Sequence, residues 1–179
     1  MGNSSIEIQD FDAVVQRYWP RVLRFLLAAV RDEDLAETLA QDCFLKAYRN
    51  RASFRGDAGL NTWLMSIAIN LVRDHTRTRR FQFWKKVQHS AADNDWVAEG
   101  LPDRTISPEQ RMFISEQVQA VWNATRRLSE KQRTVFLLRF VEDFDILEIA
   151  EATGLSESAV NVHLFRAVRA VRKQVKHHD

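Results

Sequence analysis

Residues 145–173, DILEIAEATGLSESAVNVHLFRAVRAVRK, decide the fold of the C-terminal part of this chain. A small residue at Ala150 lets two helices approach closely. Gly154 suits the tight turn between the helices and the positive φ at which the first of them ends. Apolar side chains at Leu155 and Val160 are placed to seal the helix crossing. This spacing predicts a helix-turn-helix.

Capping signals set the boundaries of the helices around this segment. Ser129 with Gln132 is a capping-box pair that opens one helix. Asp145 with Glu148 is a second pair and opens the next. Ser156 is the predicted N-cap of the final helix. The inward apolar side chains of that helix are Val160, Leu164, Val168 and Val171.

The opposite face of the final helix is polar and basic. With the apolar line turned inward, the outward residues are Ser158, Asn161, Val162, Arg166 and Arg169. Asn pairs with adenine and Arg with guanine in the major groove, whereas the nearby basic residues suit phosphates. These are Arg172, Lys173 and Lys176. The pattern favours DNA recognition; a solvated helical hairpin without a DNA role is the alternative.

Three further helices are predicted in the N-terminal half of the chain. The first contains Pro20, where a proline kinks or breaks a helix. The second starts near Asp32 or Asp34, with Glu37 as the capping-box partner of Asp34. Asn61 is the predicted N-cap of the third helix.

The composition of the 179 residues favours helices and excludes several classes of protein. Only five glycines and three prolines occur, and 45% of the residues are hydrophobic, which fits a globular helical protein better than a turn-rich β-sandwich. No apolar run approaches the ~20 residues of a membrane span, and no secretory signal is visible. The single cysteine, Cys43, cannot form an internal disulfide, so we expect a reducing compartment, the cytoplasm.

Charge and helical period divide the chain. Basic residues prevail in 72–90 and again in 158–178, which indicates two contacts with one polyanion. Residues 81–107 show no sustained helical period and contain glycine and proline, which predicts a long linker. We therefore expect an all-α protein with two helical units, an N-terminal module of residues 1–80 and a C-terminal module of residues 108–179.

Cations and aromatic side chains lie together around the third helix. The set consists of Phe54, Trp63, Arg73, Arg77, Arg79, Arg80, Phe81, Phe83 and Trp84. Bases stack on aromatic rings while basic side chains follow the phosphate backbone, so the mixture suits single-stranded nucleic acid. The alternative, that the rings are core residues and the arginines only solvate the helix, is equally open.

Several motifs resemble those of one protein family. Residues 42–48 (DCFLKAY), 54–57 (FRGD), 62–64 (TWL), 67–70 (IAIN) and 74–75 (DH) are similar to region 2 of bacterial extracytoplasmic-function (ECF) sigma factors. Residues 128–133 (LSEKQR) with the following helix-turn-helix resemble region 4 of the same family. The resemblance implies two small helical domains, a region 2 bundle and a region 4 helix-turn-helix, joined by a long linker.

The resemblance also implies roles for individual residues. Recognition of the promoter −10 element, on the non-template single strand, would fall to Phe54, Asp57, Asn61, Trp63, Ser66, Asn70, Arg73 and Arg77. Recognition of the −35 element, as duplex, would fall to Ser158, Asn161, Val162, Arg166, Arg169 and Lys173. The surface that docks on the β′ clamp coiled coil of core RNA polymerase would consist of Gln41, Asp42, Leu45, Lys46 and Arg49.

The same resemblance implies promoter melting by binding energy without hydrolysis, and further protein partners. Val135, Leu138 and Phe140 would meet the β flap of the polymerase, although core positions are the favoured interpretation for them. An anti-sigma factor is an expected partner and would hold the chain near the membrane, whereas the holoenzyme would lie on the nucleoid. No membrane insertion of the chain itself is expected.

Other function classes receive less support from the residues. We expect no enzyme and no cofactor or metal, because the chain has no Gly-rich phosphate loop, no Cys/His metal cluster and no Ser-His-Asp arrangement. A DNA-binding regulator whose N-terminal module senses a ligand or dimerises is the main alternative. A pure interaction protein, with both basic stretches facing acidic protein surfaces, is a third hypothesis.

Overall fold

Helices make up the regular structure throughout the part of the chain that can be described. The structure is a computed structural model, and it describes residues 10–54, 56, 58–88 and 121–175, with side chains excluded at 80–88 and 175. The regular elements in these ranges are α-helices and short 3-10 turns, as the all-α prediction requires.

Helix α1, Phe11–Val30, is continuous through Pro20. Asp10 caps its start by accepting a hydrogen bond from the amide of Ala13 at 3.2 Å. Pro20 is exposed, so the carbonyl that loses its helical hydrogen bond there can face water, and of the kink or break expected at Pro20 the break does not occur. The helix ends where Arg31 adopts the left-handed conformation with φ 57° and donates its amide to the carbonyl of Leu27.

Helix α2, Glu33–Asn50, starts at Asp32, the first of the two predicted positions, and not at the Asp34–Glu37 capping box. Asp32 has extended backbone and accepts a hydrogen bond from the amide of Leu35 at 3.0 Å. Asp34 lies within the first turn, where its backbone is already helical and cannot supply a cap of the predicted kind.

Helix α3, Leu60–Gln88, differs from the sequence prediction at both ends. Asn61 lies inside the first turn and not at the N-cap, since the amide of Trp63 bonds to the carbonyl of Gly59 at 3.0 Å. At the other end the helix continues eight residues past the predicted boundary at residue 80. Residues 81–88 contain neither glycine nor proline, so nothing local stops the helix.

The C-terminal module follows the predicted capping signals. After helical residues 121–124 and a 3-10 turn at Thr125–Arg127 come helices α4, Glu130–Phe140, α5, Ile146–Thr153, and α6, Glu157–Val175. Both predicted capping boxes are formed, one at the start of α4 and one at the start of α5. Gly154 has φ 70° and ends α5, and the hydroxyl of Ser156 accepts from the amide of Ala159 at the start of α6.

The two modules pack directly on each other. Helices α1, α2 and α3 enclose side chains such as Leu26 and Leu64, and α4, α5 and α6 enclose side chains such as Ile149 and Val160; all four are fully buried. Helix α5 packs against α3 and α4 packs against α1, so these side chains belong to one continuous apolar core. Two helical modules were predicted, but their common core was not.

Candidate nucleic-acid interface

Helix α6 presents one exposed polar face. All six residues predicted to face the −35 duplex are exposed, namely Ser158, Asn161, Val162, Arg166, Arg169 and Lys173. The opposite side is fixed by Val160, Ala167 and Val171, which are buried in the module. Because α6 follows a tight turn at Gly154, it has the position of the recognition helix in a helix-turn-helix.

One residue of this face escaped the sequence analysis. The ring of Phe165 is 67% exposed, more than the other exposed large apolar side chains of the described residues. It lies four residues after Asn161 and four before Arg169, so the three share one side of the helix. The sequence did contain a signal for this exposure, because Phe165 is apolar but lies outside the line of inward-facing apolar residues that includes Val160. An exposed ring at this place suits the methyl group of thymine in a major groove.

Helix α3 carries the second predicted DNA-binding face. Asn70, Arg73 and Arg77 are exposed. The amide oxygen of Asn70 accepts a hydrogen bond from Nη1 of Arg73 at 3.3 Å, and Arg77 lies 3.8 Å from Asp74. Ser66 is half-buried, and its hydroxyl donates to the carbonyl of Trp63 at 2.7 Å. The hydroxyl of Ser66 is therefore engaged within its own helix.

The loop before α3 contributes a pair of aromatic rings. Phe54 and Trp63 are half-buried with ring centroids 5.0 Å apart. Both rings pack against the hydrophobic core on one side and are partly exposed to solvent on the other. Asn61 has a buried side-chain oxygen without a hydrogen-bond partner in the structure, and it points inward instead of toward solvent. Asp57, also predicted here, lies outside the described residues.

Helix α2 displays the predicted protein-binding surface. Gln41, Asp42, Leu45, Lys46 and Arg49 are all exposed on one side of the helix. Leu45 is 46% exposed among polar and charged side chains, which suits an apolar anchor ringed by charges.

Tyr48 extends this exposed surface, and the sequence analysis gave it no role there. It is 46% exposed, and the guanidinium of Arg51 lies 3.9 Å from its ring centroid. An exposed aromatic ring stacked with arginine beside Leu45 enlarges the apolar centre that a partner helix could cover.

Of the three residues that were expected to meet the β flap, two are buried in the core and one is exposed. Val135 and Leu138 are fully buried, as the core interpretation predicts, whereas Phe140 is 57% exposed at the end of α4. Leu147, in the first turn of α5, is also exposed and had no predicted role. The ring of Phe136 supports that of Phe140, with centroids 4.7 Å apart.

Charge on the α3 face comes from arginines and not from histidine. Burial lowers the pKa of His75, Arg79 lowers it further, and Asp32 partly opposes both. These effects together disfavour the charged form of His75. Among the residues that the structure describes, no cluster of His, Cys, Asp and Glu could hold a metal ion.

Sequence comparisons match both modules. The family model described as Sigma-70 region 2 matches residues 14–82, and the one described as Sigma-70, region 4, matches residues 119–171. The RNA polymerase sigma-H factor of Pseudomonas aeruginosa is 32% identical over 176 residues, covering 93% of this chain and 86% of the relative. The ECF RNA polymerase sigma-E factor of Escherichia coli is 29% identical, with coverage of 93% and 86%.

Two solved structures share the fold over nearly the whole chain. The sigma factor RpoE of Bartonella quintana, solved with the anti-sigma factor NepR, superposes with a TM-score of 0.70 at 24% identity, covering 94% of this chain and 98% of that one. CnrH, solved with the cytosolic domain of CnrY, gives a TM-score of 0.70 at 18% identity, covering 98% and 99%.

Proposed function

Because this chain belongs to the sigma-70 family, as a member of its ECF group, it acts with RNA polymerase in promoter-specific transcription initiation, and we propose that its two modules recognise the two promoter elements separately. Family relatives are initiation factors and not enzymes. The observation that supports the proposal is the exposed face of α6, which carries residue types suited to a major groove and lies within the region 4 match.

In this proposal α6 binds the −35 element as duplex. Asn161 and Arg166 have the donors and acceptors for base edges, and Phe165 supplies an apolar contact for a thymine methyl group. Arg169 and Lys173 lie further along the same exposed face, where they suit phosphates. Ser158 and Val162 complete the contact near the start of the helix.

The N-terminal module binds the −10 element as a single strand. Asn70, Arg73 and Arg77 line the exposed side of α3, and Phe54 with Trp63 forms an aromatic platform near its start. A base that leaves the stack can be held by such a surface, and unstacking costs a few kcal/mol, which binding energy supplies without hydrolysis. Asp57, Asn61 and Ser66 belong to the same predicted site through the resemblance alone.

Docking on core RNA polymerase uses the exposed surface of α2, where Leu45 and Tyr48 form the apolar centre. Phe140 and Leu147 offer a second apolar contact, suited to the β flap. The solved structure of RpoE with NepR supports an anti-sigma factor as a partner of this chain. In the proposal this chain acts in the cytoplasm, on the nucleoid when it is bound to polymerase. No helix in the described residues is both long and apolar enough to cross a membrane.

Run-off transcription with purified core polymerase tests the proposal. Initiation that depends on the added protein supports it, and Leu45→Asp is expected to abolish that initiation while leaving duplex binding by α6 intact. Thr38→Asp, an exposed substitution on the same helix, is the matched control. Tight specific binding to paired duplex half-sites by the protein alone, without any effect on initiation, would support the regulator hypothesis instead.

A further inference from the structure

A patch of positive charge lies beside the C-terminal end of α6, outside the residues assigned to the −35 element. The 3-10 turn Thr125–Arg127 carries two exposed arginines, Arg126 and Arg127, and Arg172 is exposed on α6. With the amide of Gln174 oriented so that its oxygen accepts, Arg127 donates to it from Nη1 at 3.1 Å and from Nε at 3.3 Å. This contact places Arg127 next to the end of the recognition helix. Arg126, Arg127 and Arg172 are called the Arg127 patch below.

The sequence on both sides of the patch contains no acidic residue. Residues 121–128 have no Asp or Glu, and residues 166–176 have five Arg or Lys and no acid. Among the ion pairs formed within the described ranges, none involves Arg127 or Arg172. The contact of Arg127 with Gln174 is to a neutral amide, which leaves the positive charge in place. Charge of one sign concentrated at one end of a helix suits a polyanion.

The turn that carries the two arginines is held in place by hydrogen bonds. Arg133, on α4, donates to the carbonyls of Thr125 at 3.2 Å, Arg126 at 3.1 Å and Leu128 at 3.3 Å. The amide of Leu128 donates to the carbonyl of Thr125 at 3.2 Å. Leu128 also packs with Ala167 of α6 in one apolar cluster. The backbone that presents the arginines is therefore already ordered, so binding a ligand costs less conformational entropy.

The length of α6 places the patch outside the major groove. In the proposed function the first half of the helix, around Asn161 and Arg166, contacts the bases. Gln174 follows Asn161 by 13 residues, which is about 20 Å along the axis at 1.5 Å per residue. The major groove is about 12 Å wide and curves around the duplex, so a straight helix that contacts bases at one end has left the groove at the other. The C-terminal end of α6 therefore meets the sugar-phosphate backbone.

We propose that the Arg127 patch binds phosphates of the duplex that flanks the −35 element, beyond the base pairs that α6 recognises. The inference rests on the proposed function, because it requires α6 to lie in the major groove. Each guanidinium can form two parallel hydrogen bonds with phosphate oxygens. Contacts of this kind carry no sequence information, but they raise affinity and fix the register of the helix on the duplex.

DNA is the polyanion that the position of the patch favours over an acidic protein surface. Arg169 and Lys173, assigned to phosphates of the −35 element, are exposed on the same half of α6 as Arg172. The patch continues that basic surface onto the neighbouring 3-10 turn. A duplex bound by α6 therefore already lies beside the patch, whereas an acidic protein would have to share that space with it.

The salt dependence of DNA binding tests the proposal. The full-length protein is titrated onto a fluorescent duplex of arbitrary sequence, and anisotropy gives the affinity at salt concentrations from about 50 to about 200 mM. Each phosphate contact adds about 0.9 to the slope of log K against log salt, so Arg126→Gln with Arg127→Gln, called the patch variant, should reduce the slope by about 1.8. Over this fourfold rise in salt the wild type should lose about twelvefold more affinity than the patch variant.

A charge-matched control separates a local contact from a general loss of positive charge. Arg17→Gln with Arg51→Gln also removes two charges, from arginines that pack on Tyr18 and Tyr48 in the N-terminal module. Its slope should equal that of the wild type. Helix content by circular dichroism should be the same in all three proteins, since every altered side chain is exposed. A wild-type slope in the patch variant, or no duplex binding by the wild type at the lowest salt, would overturn the proposal.

Uncharged phosphate analogues locate the contact on the DNA. The probes are duplexes with the −35 element of a promoter transcribed with this protein, in which single flanking phosphates are replaced by methylphosphonates. Replacing a contacted phosphate should weaken binding by the wild type severalfold and leave the patch variant unaffected, because that variant no longer makes the contact. If every replacement weakens both proteins equally, the patch does not bind the flanking phosphates.

Failure of the proposed function would look different. If run-off transcription shows no initiation with this protein, the proposed function fails. The salt dependence still decides whether the patch binds phosphates, because that measurement uses neither polymerase nor a promoter. If the patch variant keeps the wild-type slope but loses initiation, the patch contacts an acidic protein surface and the assignment to DNA is wrong.

Discussion

The guanidinium of Arg24 and the carboxylate of Glu142 meet across 118 positions of sequence, with Nε 3.0 Å from Oε1. The hydrogen bond to Glu142 raises the pKa of Arg24 above its ordinary value, which the cost of burial only partly offsets. Helix α1 therefore does more than build the N-terminal core, since its arginines position the second module.

Glu142→Gln is expected to lower the free energy of unfolding by about 1–2 kcal/mol. Breaking a fully buried ion pair costs about 3–5 kcal/mol, but the two arginines that pair with Glu142, Arg21 and Arg24, are about half exposed and can hydrate. Urea denaturation monitored by circular dichroism measures the change. Glu151→Gln, an exposed carboxylate on α5, is the control and should stay within about 0.5 kcal/mol of the wild type. An equal loss of unfolding free energy in both variants would show that Glu142 contributes no more to stability than an exposed carboxylate does.

Cys43 is expected to resist thiol reagents in the folded protein. It is fully buried among α2 and α3, and burial raises its pKa to about 12. Only the thiolate reacts, so alkylation at pH 8 should require opening of the folded protein and should be slow. Mass spectrometry after timed treatment with iodoacetamide measures this, and rapid modification of the native protein would contradict the prediction.

The same thiol makes stability depend on alkaline pH. In the unfolded chain its pKa is about 9, below the folded value of about 12, so the folded state retains the proton longer. Its contribution to stability is complete below pH 9 and is lost as pH rises toward 12. Cys43→Ala should show a shallower fall in melting temperature between pH 9 and 11 than the wild type, and parallel curves would contradict this assignment.

Asn161→Ala should relax sequence preference at one position of the −35 element by about 1–3 kcal/mol, because it removes a side chain suited to a base edge. Binding to a panel of single-base variants of the duplex measures the effect. Lys173→Ala is the contrasting variant, expected to weaken binding to every sequence evenly and to reduce the salt dependence. An even loss with Asn161→Ala would show that Asn161 does not contact a base.

Phe165→Ala should abolish discrimination between thymine and uracil at one −35 position. Burial of a methyl group contributes about 0.8 kcal/mol, so the wild type should prefer thymine about fourfold there. Duplexes with single thymine-to-uracil replacements measure this ratio in both proteins. Phe165→Leu keeps an apolar contact and should retain part of the preference. A wild type indifferent to all such replacements would exclude the methyl contact.

Short stretches of sequence were sufficient to predict much of the candidate site. The capping boxes at Ser129 and Asp145, the turn at Gly154 and the exposed face of α6 were all predicted, because each depends on residues a few positions apart. Asn61 shows the limit of this reasoning, since a good capping residue lies within the first turn of α3 and carries a buried oxygen. The carbonyl of Gly59 accepts a helical hydrogen bond from the amide of Trp63, so the helix begins before Asn61 despite the capping preference of asparagine.

The sequence by itself determined the helices, the helix-turn-helix and the polarity of its outer face, because helical period and caps act over three or four residues. Only the tertiary structure decided how the modules meet and which arginines of α1 serve Glu142. Contacts that span 118 and 121 positions leave no periodic trace in the chain, since they depend on how two separately formed surfaces fit together.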